Sequence, residues 1–127
     1  NVFMKREILF KGKTINGNRW VFGALLWDEY QSKKRFYILE DNASDFSLFE
    51  EVHPETVCQF TGLLDKNGIK IFEGDKVDME YTDKKGTIKW RKENCSFSIE
   101  SNRYKSGFTR LDNRECVNLL ITGNIHD

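Results

Sequence analysis

Residues 61–77, TGLLDKNGIKIFEGDKV, place turn-forming residues between very short apolar stretches. The Asn67-Gly68 pair, with Asp65 before it, is typical of a tight hairpin turn, because glycine readily adopts the positive φ that such turns need. Apolar and polar residues alternate on both sides of this pair, which is the period-two pattern of strands with one buried face. Segments this short favour strands over helices, so this stretch predicts a β-hairpin.

The same short-period pattern recurs along the chain and predicts an all-β protein with little helix. The predicted strands cover residues 6–10, 19–27, 34–40, 55–60, 76–81, 87–90, 95–100 and 116–125. A short helix is predicted at residues 41–52, where Ser44 or Asp45 could cap a turn. The polar residues 101–115 are expected to form a long loop.

Two small β subdomains are expected, packed together as one domain. Residues 1–55 form the N-terminal β subdomain, and residues 56–127 form a C-terminal SH3-like half-barrel, because three short strands with tight turns follow one another there. The residues predicted to set its turns are Gly62, Asp65, Asn67, Gly68, Gly74 and Asp75.

Composition fits a cytoplasmic globular protein. A chain of 127 residues with 39% hydrophobic residues can bury a core without a metal or disulfide. No apolar run is long enough to span a membrane, and no secretory signal is visible at the start. Cys58, Cys95 and Cys116 are far apart and odd in number, which favours reduced thiols over a disulfide framework.

Catalysis and cofactor binding are not expected. The chain has two histidines, His53 beside Pro54 and His126 near the end, and no recognisable nucleophile and base pairing. The DKNG sequence suggests calcium, but an EF-hand loop would have its glycine sixth and a glutamate twelfth, where this chain has Lys76. No phosphate-binding glycine loop and no metal-ligand spacing occur. We therefore expect no enzyme activity, no cofactor and no metal.

Nucleic acid is an alternative partner, although the 20 basic and 20 acidic residues cancel overall. Basic residues are concentrated in residues 83–114 and alternate there with Trp90, Phe97, Tyr104 and Phe108, as in proteins that bind single strands. The candidate nucleic-acid-binding residues are Lys89, Arg91, Lys92, Arg103, Lys105 and Arg110. The competing interpretation is that the aromatic residues form core and the basic residues form a solvated face.

Three blocks cover about half of the chain: residues 4–26, residues 52–77 (VHPETVCQFTGLLDKNGIKIFEGDKV) and residues 121–125 (ITGNI). In sequence and in order these blocks resemble the YopX-like family of phage and prophage proteins. The chain departs from the family pattern at Cys58, where glycine is usual. The resemblance implies a mainly β fold in two barrel-like parts and no catalytic residues.

Within these blocks most residues have a structural role, either in turns or in the core. Trp20, Glu55, Gln59 and Glu73 are the remaining side chains that could face a partner. We therefore expect a non-catalytic module that binds another protein or its own copies, through a surface where the two subdomains meet.

Overall fold

The computed structural model describes residues 6–40 and 49–127 and shows an all-β protein of two compact units. The division falls between Gln59 and Phe60, within a strand that spans Cys58–Leu64. This confirms the predicted fold class, with two β subdomains and little helix.

The first unit is an antiparallel sheet with strand order β4-β3-β2-β1-β5. Its elements are β1 (Phe10–Lys13), β2 (Trp20–Tyr30), β3 (Lys33–Glu40), β4 (Phe49–Val52), a 3-10 helix (Pro54–Thr56) and the first residues of β5 (Cys58–Leu64). Val21, Ile38 and Val52 are fully buried and form its core. Gly23 is required within β2, because a Cβ there would lie 1.8 Å from the carbonyl oxygen of Leu39.

The second unit contains a five-stranded antiparallel sheet of strand order β10-β9-β8-β7-β11, and β6 pairs with the remainder of β5. Its elements after β5 are β6 (Lys70–Phe72), β7 (Asp75–Met79), β8 (Lys85–Arg91), β9 (Ser96–Glu100), β10 (Phe108–Arg110), helix α1 (Asn113–Cys116) and β11 (Leu119–Asn124). One face of this sheet carries the core. The buried core residues are Ile71, Val77, Met79, Ile88, Ile99, Leu111, Cys116 and Leu119.

Several predicted boundaries in the first unit are wrong. The first strand begins at Phe10 rather than residue 6, because pairing of β1 with β2 runs from Phe10–Gly23 to Lys13–Trp20. The predicted helix fails at Phe49–Val52, which pair with β3 as strand β4. Residues 41–48 of that prediction lie outside the described residues.

The remaining boundary errors involve short helical turns. The predicted strand at 55–60 begins with the 3-10 helix Pro54–Thr56 and becomes extended at Cys58. The predicted loop 101–115 contains β10 and the start of α1, whose N-terminus is capped by the Asp112 carboxylate accepting from the Glu115 amide. Cys116 therefore ends a helix and does not start the last strand.

Candidate functional site

The hairpin of β2 and β3 extends beyond the strands that flank it. Strand β1 pairs with β2 over Trp20–Gly23, and β4 pairs with β3 over Phe36–Leu39. Among the described residues, 27–35 therefore form a two-stranded ribbon, which we call the hairpin arm. A two-stranded ribbon alone is only marginally stable in water. Within the described residues no strand pairs with either edge of this arm, so the outward-directed backbone groups of its edges are available for pairing.

The hairpin arm exposes two large aromatic side chains. Trp27 is 57% exposed and Tyr30 is 59% exposed. The Lys34 ammonium lies 4.5 Å from the Trp27 ring centroid, and the Arg35 guanidinium lies 5.4 Å from that of Tyr30. These cations hold the rings in place while leaving much of their surface open. The arrangement combines apolar area with polar groups, as many protein interfaces do.

Asp28 organises the face of the arm that carries Tyr30 and Arg35, the opposite face from Trp27. Its carboxylate accepts two hydrogen bonds from Arg35, at 3.2 and 3.1 Å, in a bidentate pair. The Tyr37 hydroxyl donates to the same carboxylate at 3.3 Å. Hydrogen bonding to Asp28 raises the pKa of Arg35, and desolvation raises the pKa of Tyr37. Both groups therefore keep their ordinary protonation state at neutral pH.

The face of β2 opposite the core is apolar over most of its length. Alternation places Trp20, Phe22 and Leu26 on this face, with Phe22 and Leu26 about two-fifths exposed. The neighbouring strands contribute Leu39 and Phe49, which pair with each other across β3 and β4. The Lys11 ammonium lies 4.3 Å from the Trp20 ring centroid. Trp20, predicted from the sequence, is thus one end of a longer apolar surface.

The other predicted partner residues lie elsewhere. Glu55 is exposed in the 3-10 helix, and its carboxylate is 3.8 Å from Nδ1 of His53. Gln59 pairs with Phe10. Glu73 belongs to the second unit, in the turn between β6 and β7, where its carbonyl oxygen accepts from the Asn124 side chain at 3.2 Å. Their role in binding a partner stays a prediction.

The carboxylate of Asp65 serves the backbone of its loop. Oδ1 accepts from the amides of Asn67 (2.8 Å) and Ile69 (2.9 Å), and Oδ2 accepts from the amide of Ile121 (3.2 Å). Gly68 follows with a φ of +79°. The loop is therefore built by hydrogen bonds from this carboxylate to amides.

Asp75 has a comparable role at the second turn. Its Oδ2 accepts from the Phe72 amide at 2.8 Å and its Oδ1 from the Asn124 side chain at 2.9 Å, and the side chain is fully buried. Gly74, in the turn before it, has a φ of +85°. Gly62, predicted to set a turn, lies instead inside β5 with a φ of +88°, where the pairing of β5 with β6 shifts register. Its positive φ accommodates a bulge.

The basic segment is divided between different surfaces of the second unit. Lys89, Arg91 and Arg110 lie on the sheet face opposite the core, since Ile88 and Ile99 between them point into it. Arg103 lies on the other side, with its guanidinium 3.8 Å from the sulfur of buried Met79. Lys92 and Lys105 are exposed in turns between strands.

Most aromatic residues of this segment belong to the core side. Tyr104 and Phe97 pack against the buried cluster, and Trp90 packs edge-on against Phe97 at 5.1 Å. Phe108 alone among the four named aromatics shares the face of Lys89 and Arg110. The basic residues and the aromatic rings therefore do not form one stacking platform, which the sequence pattern had suggested.

Two of the three cysteine thiols are buried. Burial, followed by the nearby carboxylates of Asp112 and Glu115, raises the pKa of Cys116 to about 11. Cys58 is buried, and its thiol donates to the carbonyl of Thr56 at 3.2 Å. Cys95 is exposed. The His53 ring contacts the side-chain oxygen of Asn18 at 3.1 Å.

In the described part of the chain, no helix is long and apolar enough to cross a membrane. Among residues 6–40 and 49–127, no three His, Cys, Asp or Glu side chains converge where they could hold a metal ion.

Comparison with known proteins identifies the family. The YopX protein family matches residues 9–127, nearly the whole chain, so the protein belongs to this family. No curated protein matches the chain. The resemblance inferred from the three sequence blocks is thereby confirmed.

Sequence reasoning missed the hairpin arm. The available signal was the segment at 20–27, in which apolar residues occupy both alternating positions, as Val21 and Phe22 do and again Leu26 and Trp27. A strand that is apolar on both faces is either fully buried or exposes one apolar face. Which of these two cases applies depends on the strands that lie beside it, and the sequence alone does not identify them.

Proposed function

We propose that this YopX-family protein is a non-catalytic module that binds another protein through the hairpin arm and the adjoining edge of β2. The observation that carries the proposal is the arm itself, a two-stranded ribbon with Trp27 and Tyr30 more than half exposed. Exposed aromatics on a protruding ribbon are costly unless a partner covers them.

The edge of β2 has backbone groups that could pair with an additional strand. Tyr30 and Lys33 flank the two-residue turn and so exchange hydrogen bonds with each other. Alternation then directs the backbone groups of Leu25, Trp27 and Glu29 away from β3. Over these residues β1 is not paired with β2. An extended segment of a partner could pair with them and extend the sheet.

The two edges of the arm differ in sequence. The edge of β3 carries Lys33 and Lys34, and natural sheets use lysine to block pairing at exposed edges. The edge of β2 carries Leu25, Leu26 and Trp27. This asymmetry supports β2 as the edge that takes the partner segment and assigns β3 the protected side.

The absence of catalysis is part of the proposal, and the thiols support it. A thiol with a pKa near 11 is almost entirely protonated at neutral pH and is a poor nucleophile. The three free cysteines also support a reducing, cytoplasmic location. Family membership supports a phage or prophage context, as the sequence resemblance implies.

Site-specific photo-crosslinking tests the proposal. A photo-reactive phenylalanine analogue replaces Trp27 in one variant and Tyr81, which is 88% exposed in the second unit, in a control variant. In the cell that carries the gene, we expect a discrete crosslinked protein at position 27 and none at position 81. Crosslinks at position 81 alone, or none at position 27, would contradict the proposal.

A second copy of this chain is the alternative occupant. Mass spectrometry of the crosslinked product at position 27 distinguishes it from a different protein. Light scattering of the purified protein over a range of concentrations provides the check, because β2 pairing between copies would give a dimer that the Trp27→Lys substitution abolishes.

A further inference from the structure

We infer that the second unit carries a separate binding site for the phosphate backbone of nucleic acid. The site is the sheet face opposite the core, here called the basic face. Its cationic side chains are Lys76, Lys85, Lys89, Arg91 and Arg110. This inference does not depend on the hairpin arm, which belongs to the first unit.

Register places all five cations on one face. Across β7 and β8, Lys76 pairs with Thr87 and Asp78 pairs with Lys85. On β9, Ser98 pairs with both Lys89 of β8 and Arg110 of β10. The same face carries two acids, Asp78 and Glu100. Five cations and two acids leave three positive charges in excess on this face. The whole chain has a net charge of zero, so the basic face attracts anions only locally.

The acids neutralise two of the five cations. Lys85 is 2.8 Å from Asp78, and Lys89 is 3.8 Å from Glu100. Among the described residues, Lys76, Arg91 and Arg110 form no ion pair. An unpaired guanidinium offers a fork of donors that matches phosphate.

The Arg91 guanidinium packs against an aromatic ring. Its guanidinium carbon lies 3.6 Å from the ring centroid of Phe108, and Ser98 beneath this part of the face is buried. In the described structure its buried Nε has no hydrogen-bond partner. Stacking fixes the guanidinium plane, so less entropy is lost when its nitrogens bind an anion.

The spread of charge indicates a polymer of phosphates. The cations lie on β7, β8 and β10, and β9 separates β8 from β10. Since neighbouring strands are about 4.8 Å apart, the face spans roughly 14 Å from β7 to β10, more than one phosphate group covers. Phe108 is covered by Arg91, so the face offers no open ring for base stacking. We therefore infer binding to the backbone without sequence preference.

The experiment measures binding of a labelled single-stranded DNA of mixed sequence by fluorescence polarisation over a series of salt concentrations. The test variant is Lys76→Gln with Arg110→Gln, two cations of the basic face that form no ion pair among the described residues. The control is Arg103→Gln with Arg114→Gln, which removes the same charge from residues that do not lie on the basic face. Circular dichroism melting confirms that both variants are folded.

The expected loss of DNA affinity follows from the release of salt counterions when a cationic side chain binds a phosphate. Each phosphate contact to a single strand contributes a factor of about 5 at about 0.1 M salt and about 0.7 to the slope of log K against log salt. The test variant should therefore bind roughly 25-fold more weakly, with a slope smaller by about 1.4. The control should change binding by less than about threefold, because screening weakens distant charges.

A third variant, Glu100→Gln, should act in the opposite direction. Removing the carboxylate beside Lys89 frees that ammonium, so DNA affinity should rise by about fivefold and the salt slope should steepen.

Four outcomes would overturn the inference. They are an equal loss in the test and control variants, an affinity that does not depend on salt, equal binding of polyglutamate, and equal binding of phosphatidylserine vesicles. The last two would show an acidic peptide or a membrane surface to be the better ligand.

Discussion

The two units of this protein use the same architecture, antiparallel strands, for different purposes. The first unit buries a small cluster around Ile38 and presents apolar and aromatic side chains outward, including Trp27 and Tyr30. The second unit buries a larger cluster around Ile88 and presents charged side chains on its free face. Strand pairing fixes the sheet in both units, whereas the outward residues of each strand decide what the sheet can bind.

The two units also differ in what holds their turns. In the second unit, buried carboxylates such as Asp65 hold backbone amides at the turns. In the first unit, the tip of the hairpin arm is formed by Gln31 and Ser32, both with positive φ and with no glycine. The turns held by Asp65 and Asp75 are therefore more strongly specified than the tip of the hairpin arm.

The largest expected effect on stability comes from substitutions in the two cores. Ile88→Ala and Ile38→Ala each remove a side chain that is fully buried. We expect a loss in the free energy of unfolding of about 4 kcal/mol for Ile88 and about 2 kcal/mol for Ile38, because a smaller core relaxes more easily around a cavity. Urea unfolding followed by tryptophan fluorescence measures both. Equal losses would show that the two cores relax equally well around a cavity.

A second pair compares carboxylates. Asp65→Ala leaves three amides without their acceptor in the second unit and should cost about 3 kcal/mol. Asp28→Ala removes a half-exposed partner of Arg35 on the arm and should cost less than about 1 kcal/mol. The same unfolding measurement applies. A costly Asp28 substitution would show that the arm depends on its ion pair.

The third prediction concerns pH. The pKa of the Cys116 thiol is about 11 in the folded protein and near its ordinary value of 9.0 in the unfolded chain. The folded state therefore holds this proton more tightly. Its contribution to stability is complete below pH 9 and is lost as pH rises through 11. Between pH 8 and pH 10 we expect a loss of about 1 kcal/mol that is absent in Cys116→Ala, measured by urea unfolding at both pH values.

The smallest effect is expected on the hairpin arm. Trp27→Thr and Tyr30→Thr replace exposed rings with a good strand former, so stability should change by less than about 0.5 kcal/mol. Binding of the partner identified by crosslinking should be lost in both variants. Thermal melting measures the first quantity and co-purification with that partner the second. A large drop in melting temperature would show that the rings are structural.

Much of the fold could be predicted from local sequence. The strands at 34–40 and 95–100 lie close to their predicted positions, because apolar residues recur at alternate sequence positions in each, as Phe36 and Ile38 do and again Phe97 and Ile99. Strand β4 and helix α1 were not predicted, because each is only four residues long and depends on neighbours. Pairing with β3 makes Phe49–Val52 a strand.

The site could be predicted only in part. Trp20 was identified, whereas Trp27 and Tyr30 were not, because their exposure depends on where β1 and β4 stop pairing with the hairpin. The basic residues of 83–114 were identified as a group. Strand register then separated Lys89 and Arg110 from Arg103, which packs against Met79.

The sequence by itself determined that this is an all-β protein of the YopX family, since alternation, glycine turns and the block at 52–77 are local features. Only the tertiary structure decided which strands have a free edge and which cations share a face. The physical reason is that side-chain direction within a strand follows from the sequence, while exposure depends on the pairing and packing of segments far apart in the chain.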